Sequence, residues 1–228
     1  MTSENGGSSE TVSLALSDAV LEGALVLPAG SVGVVAFAHG SGSSRFSSRN
    51  QAVARYLNEA GLGTLLFDLL SREENQVDEV TREFRFDIPL IGRRMSEAVQ
   101  WLARQPQTMS LRLGLFGAST GAAAALVAAA ENPGQVQAVV SRGGRPDLAA
   151  GLLPMVQAPT LLIVGGLDRE VIELNRAAAA GLRCEHAVEI VPGATHLFAE
   201  AGTLDRVQQL AADWFLRHLA TPGQPPWR

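Results

Sequence analysis

The five residues Gly117-Ala118-Ser119-Thr120-Gly121 constrain this chain more than any other stretch. They follow an apolar run, Leu111 to Phe116, that predicts a strand, and they precede an alanine-rich run, Thr120 to Asn132, that predicts a helix. A strand that becomes a helix within so few residues must turn sharply, with Ser119 at the apex. Glycine on either side is what a backbone without room for a Cβ atom requires. Ala122 to Ala125 fit the same geometry, since small side chains let a helix lie close to a sheet while keeping good helix propensity. A serine held in this way is the nucleophile elbow of acyl-transfer chemistry.

Such a serine needs a base and an acid, and the elbow pattern places them later in the chain, acid first, each at a strand end. Thr160 to Val164 reads as a buried strand ending in Gly165-Gly166-Leu167-Asp168, a glycine turn that exposes a carboxylate. Ala187 to Val191 reads as another, ending in Pro192-Gly193-Ala194-Thr195-His196. Strands of a parallel sheet point the same way, so Ser119, Asp168 and His196 should emerge along one edge, where open α/β folds bind their ligands. A serine hydroxyl is a poor nucleophile until a base takes its proton, and imidazole suits that task near neutral pH. His196 is the candidate base, with Asp168 holding the other ring N–H and so the tautomer. Asp147, in the loop after the preceding strand, is the rival acid.

The tetrahedral oxyanion of acyl transfer needs preorganised donors, and the backbone N–H of Thr120, directly after the nucleophile, is the first. Val32 to Ala38 reads as an apolar strand running into His39-Gly40-Ser41-Gly42-Ser43-Ser44, in the place of the second donor loop. Ser41 N–H is the candidate there and Gly42 N–H the alternative. His39 is expected to be a buried histidine bonded to the loop backbone, and His186 and His218 to be packing or surface residues. Gly40-Ser41-Gly42 also begins like a dinucleotide fingerprint, but position 45 is Arg where that motif has glycine, and Asp68 comes later than the usual acidic offset.

Taken together, Phe37-Ala38-His39-Gly40, Gly117-Ala118-Ser119-Thr120-Gly121, Val164-Gly165-Gly166-Leu167-Asp168 and Pro192-Gly193-Ala194-Thr195-His196-Leu197-Phe198 resemble the α/β-hydrolase superfamily, and within it the small dienelactone hydrolase-like group. The resemblance covers most of the chain. It implies a three-layer α/β/α fold with a mostly parallel eight-stranded sheet, Ser119, Asp168 and His196 as catalytic residues, and the Ser41 and Thr120 amides as oxyanion donors. It implies no cofactor and no metal. Dienelactone hydrolases proper use a cysteine nucleophile, so serine here points to a carboxylesterase acting on small carboxylic esters. Thioesterase or lactonase activity on the same triad, and a non-catalytic ligand-binding member of the fold, are the alternatives.

The remaining features agree. A chain of 228 residues with 46% hydrophobic content can bury one core, and a single domain is expected, with residues 1–9 and 221–228 as tails. A net charge of −5 with scattered basic residues argues against a nucleic-acid surface. Cys184 is the only cysteine, which excludes an internal disulfide, and its expected role is packing. No signal-peptide pattern or span of transmembrane length is present, so a cytoplasmic protein without membrane contact is expected.

An opening hairpin is predicted from Val12 to Leu16 and Leu21 to Leu27 around Ser17-Asp18, then strands over 32–38, 63–67, 111–116, 136–141, 160–164 and 187–191. Helices are predicted over Gln51 to Ala60, Pro89 to Arg104, Thr120 to Asn132, Glu170 to Ala180 and Leu204 to Leu219. Only Arg142 to Ala158 separates the sixth and seventh strands, so little or no lid and an open site are expected. A charged loop from Ser71 to Arg85 and the arginines Arg142 and Arg145 fall on the same edge. These two arginines are candidate substrate contacts for an anionic acyl group, the alternative being pairing with loop carboxylates such as Asp147.

Overall fold

The computed structural model describes residues 8–220, with side chains from Glu10 onward. Eight strands form one sheet in the order β1-β2-β4-β3-β5-β6-β7-β8. They are β1 (Ser8–Ala15), β2 (Val20–Leu27), β3 (Gly33–Ala38), β4 (Gly63–Phe67), β5 (Arg112–Ala118), β6 (Val136–Arg142), β7 (Thr160–Gly165) and β8 (His186–Val191). β1 pairs antiparallel with β2, and β2 antiparallel with β4; every pairing from β4 to β8 is parallel. The hairpin turns at Ser17-Asp18, closed by Leu16 N–H donating to Ala19 O. Ser8 and Ser9, expected in the N-terminal tail, belong to β1. Residues 1–7 and 221–228 lie outside the described residues.

Six helices cover the sheet: α1 (Ser48–Glu59), α2 (Arg72–Thr81), α3 (Ile88–Arg104), α4 (Thr120–Glu131), α5 (Arg169–Gly181) and α6 (Thr203–Leu219). The central strands are buried on both faces, as parallel strands between helix layers must be. Val35, Phe37, Val140 and Ile163 meet α1 and α6 on one face, while Val34, Ala36, Leu115 and Val139 meet α3 and α4 on the other. Every residue of α4 from Thr120 to Ala130 is buried, which explains its run of alanines: a helix sandwiched this closely has no room for long side chains.

Two segments depart from the sequence expectation. The charged stretch after β4 is not all loop, since Arg72–Thr81 is helical. Ser71 caps it, accepting from Glu74 N–H while the Glu74 carboxylate accepts from Ser71 N–H, a complete capping box. Between β6 and β7, Pro146–Met155 forms 3₁₀ turns kinked at Ala149 and anchored by buried Leu153. The inserted segment is therefore small.

Candidate active site

The elbow is formed as the glycines require. Ser119 has φ 53° and ψ −122°, a conformation that non-glycine residues rarely adopt. A Cβ at Gly117 would collide with the backbone of Gly121 and Ala122, and one at Gly121 with the carbonyls of Ala38 and His39. The turn is braced on the neighbouring strand end: Ser119 N–H donates to Arg142 O at 3.2 Å, and Arg145 N–H donates to Ser119 O at 3.1 Å.

The acid and base loops are tied to one another before they reach the serine. Asp168 N–H closes a turn onto Gly165 O at 3.0 Å, and Leu167 N–H donates to Ala194 O at 2.9 Å. That contact brings His196 Nδ1 to 2.7 Å from Asp168 Oδ2 and leaves Nε2 as the ring's free nitrogen. Gly143 connects this pair to the elbow. It directly follows Arg142, which holds Ser119, and a Cβ on it would come within 3.6 Å of His196 Cε1. Ser119, Asp168 and His196 thus follow the C-terminal ends of the parallel strands β5, β7 and β8 on one edge of the sheet, with Asp168 and His196 in contact and no hydrogen bond between Ser119 Oγ and His196. Asp147 does not join them; its carboxylate takes Arg145 Nε at 2.9 Å and Nη2 at 2.7 Å.

Glu200 has a part in this loop that the sequence did not signal. Its carboxylate accepts Thr195 N–H at 3.1 Å and the Thr195 hydroxyl at 2.6 Å, fixing the residue before His196. Those bonds hold the Glu200 carboxyl below its ordinary pKa. Phe198, buried at φ 53°, turns the chain away beyond the histidine.

On the donor side, Thr120 is the first residue of α4, so its N–H has no intrahelical partner. Gly40 to Ser43 form a tight turn, with Ser43 N–H on Gly40 O at 3.2 Å and Gly42 at φ 67°. Ser41 is at its tip side, and Gly40 lies so close to the elbow that a Cβ there would sit 3.1 Å from Ser119 Cβ. His39 is buried beneath the turn. One ring nitrogen, Nδ1, donates to Gly40 O at 3.0 Å and the other, Nε2, accepts Leu69 N–H at 3.0 Å, which fixes a neutral tautomer. Burial holds its pKa below the ordinary value, partly offset by the Gly40 bond. His39 therefore braces the donor loop, as expected of a structural histidine.

The loop arginines divide. Arg145 is engaged by Asp147. Arg142 is not on the open rim, as its place in the sequence suggested, but buried at 8% exposure, with Nε and Nη1 unpartnered. Burial, with the Arg49 charge nearby, pushes its pKa down to about 10. Arg85, at the end of the charged stretch, reaches the donor loop: a Cβ on Gly42 would lie 2.9 Å from its Nη1, while Asp78 holds its Nε at 2.5 Å. A groove of about 790 Å³ runs between α2 and the segment from Ser43 to Phe46 and reaches His39 beneath the donor loop. The described residues contain no His/Cys/Asp/Glu cluster suited to a metal ion, and no helix long and apolar enough to cross a membrane.

The chain matches the dienelactone hydrolase family over residues 21–221. It belongs to that family. The chain accordingly has the α/β-hydrolase fold. A crystal structure of a dienelactone hydrolase from Anabaena variabilis is 54% identical, with a TM-score of 0.92, covering 93% of this chain and 99% of that one. Est1E from Butyrivibrio proteoclasticus shares the fold at 15% identity, with a TM-score of 0.76 over 93% of this chain and 98% of its own. A Mycobacterium tuberculosis H37Rv protein provisionally named a phosphoribosyl transferase is 54% identical over 214 residues, 94% of this chain but 47% of that protein. The chain thus spans about half the length of the curated relatives it matches.

Proposed function

We propose that this family member is a serine carboxylesterase, cleaving small carboxylic esters through an acyl-enzyme. The observation that carries the reading is the 2.7 Å bond from His196 Nδ1 to Asp168 Oδ2, on a loop packed against the elbow that holds Ser119 at positive φ. Ser119 Oγ attacks the acyl carbon as its proton passes to His196 Nε2, and Asp168 stabilises the resulting imidazolium. The oxyanion is met by Thr120 N–H and Ser41 N–H. The intermediate collapses, the alcohol leaves with the proton from His196, and the acyl group stays on Ser119. Water then attacks this ester, its proton goes to His196, and the carboxylic acid departs as Ser119 regains its hydrogen.

The name given to the mycobacterial relatives describes proteins about twice as long, and we do not extend phosphoribosyl transfer to this chain. A fluorophosphonate should label Ser119, and Ser119→Ala should abolish both labelling and ester turnover. Labelling at another residue, or an active Ser119→Ala enzyme, overturns the triad.

A further inference from the structure

Arg45, Arg85, Arg93, Arg94, Arg145 and Arg217 each face at least one carboxylate. Arg142 and Arg49 differ from these and from the solvated arginines: neither makes an ion pair among the described residues, and the buried Nε atoms of both, with Nη1 of Arg142, lack hydrogen-bond partners. An uncompensated guanidinium is among the costliest groups to bury, and two of like sign side by side are costlier still.

Their placement follows from the fold. On β6, Ala138 and Val140 face α1 and α6, and two-residue alternation puts Arg142 on that same face at the catalytic end of the strand. On α1, Asn50, Val53, Ala54 and Leu57 form the buried side, and the Arg49 guanidinium at its first turn is near enough for its charge to act on Arg142. The Asn50 side chain is buried with its Oδ1 unpartnered, and turning the amide over would present its N–H₂ to the same space. Laterally, Arg142 pairs with Ala118, the residue before the nucleophile.

From this cradle we infer that Arg142 and Arg49 form an anion-binding subsite beside Ser119, taking a compact oxyanion carried by the substrate, with phosphate as the best-matched occupant. The inference rests on the serine-hydrolase reading for its link to catalysis. Two guanidiniums without a counter-carboxylate are balanced by a dianion, whereas a single carboxylate leaves one positive charge over. Guanidinium donors also suit tetrahedral phosphate oxygens and planar carboxylates better than neutral polar groups.

The test uses the purified protein with inorganic phosphate as the probe, against acetate and sodium chloride at matched ionic strength. At about ten times its Kd, phosphate should raise the Tm of the wild type by about 3–6 °C. Arg142→Met, which removes the buried charge at similar volume, and Arg49→Gln, at a half-exposed helix start, should each lose that rise. Phosphate should also slow fluorophosphonate labelling of Ser119 in the wild type, and this protection should be lost in either variant. A rise unchanged in both variants, or absent from the wild type, overturns the subsite. A larger rise with acetate overturns the phosphate assignment. Labelling that phosphate does not slow removes the subsite from the catalytic centre while leaving the hydrolase reading intact, whereas failure of Ser119 to label overturns that reading and not the thermal result.

Discussion

At the scale of single residues, the division of labour between two aspartates tests the site most sharply. Asp168 holds His196 Nδ1, whereas Asp147 spends its carboxylate on Arg145. Asp168→Asn should leave the fold intact but lower kcat by about 10³–10⁴, because the amide cannot hold the productive tautomer or balance the imidazolium. Asp147→Asn should change kcat less than about threefold, since a partly exposed ion pair contributes little. Steady-state kinetics on one activated ester compares the two, and a large loss in Asp147→Asn with a small one in Asp168→Asn would reverse the assignment. The strand-end positions of Ser119, Asp168 and His196 were readable in the sequence because each follows an apolar strand and sits in a glycine-marked turn. Arg49 and Glu200 carried no such mark. One lies in a helix turn that polar residues obscure, and the other acts only through Thr195, a contact made by a loop folding back on itself.

At the scale of elements, α2 shows where periodicity fails. Its ten residues, Arg72–Thr81, carry only two apolar side chains, Val77 and Val80, and both are exposed. No hydrophobic face announced a helix, although the Ser71 and Glu74 capping signature was present. What fixes α2 is charge. Glu74 accepts Arg94 Nη1 at 2.6 Å and Nη2 at 2.7 Å, and Arg94 is 1% exposed, reaching also to Asp18 and Leu69 O. The bonds from Arg94 hold the Glu74 carboxyl below its ordinary pKa despite partial burial. Ser71→Ala removes one cap and should cost about 1 kcal/mol. Glu74→Ala leaves the buried Arg94 guanidinium with Asp18 as its one carboxylate partner and should cost about 3 kcal/mol. Urea denaturation separates the two, and equal losses would mean that the cap, not the ion pair, anchors the helix. The five other helices bury apolar stripes or faces, which is why their positions were legible to within three residues at each end.

Across the whole molecule, the buried ionisable groups give stability a two-stage dependence on acid. Burial keeps His39 neutral with its pKa below 6.5, and burial also lowers His218, where Arg217 adds to the effect and Glu185 opposes it. In the unfolded chain both histidines take a proton at about pH 6.5. Below that pH the unfolded state binds more protons than the folded one, so stability falls as pH drops, by an amount set mainly by His39, the more deeply buried of the two. The second stage belongs to carboxylates. Asp78 is burdened by burial, but bonds from Arg85 and from Phe84 N–H outweigh it, and Glu74 is lowered by Arg94, so both stay ionised in the fold below their usual range. Their contribution is complete above about pH 4.5 and is lost as pH falls through their depressed folded values. Urea midpoints taken from pH 8 to pH 4 should therefore hold steady, decline below about pH 6.5, and decline again below about pH 4.5. His39→Gln should lower stability at pH 8, where the Gly40 and Leu69 contacts are perturbed, yet flatten most of the first decline. An undiminished decline between pH 6.5 and pH 5 in that variant would assign the first stage to other groups and leave His39 a hydrogen-bonding brace without a part in the acid response.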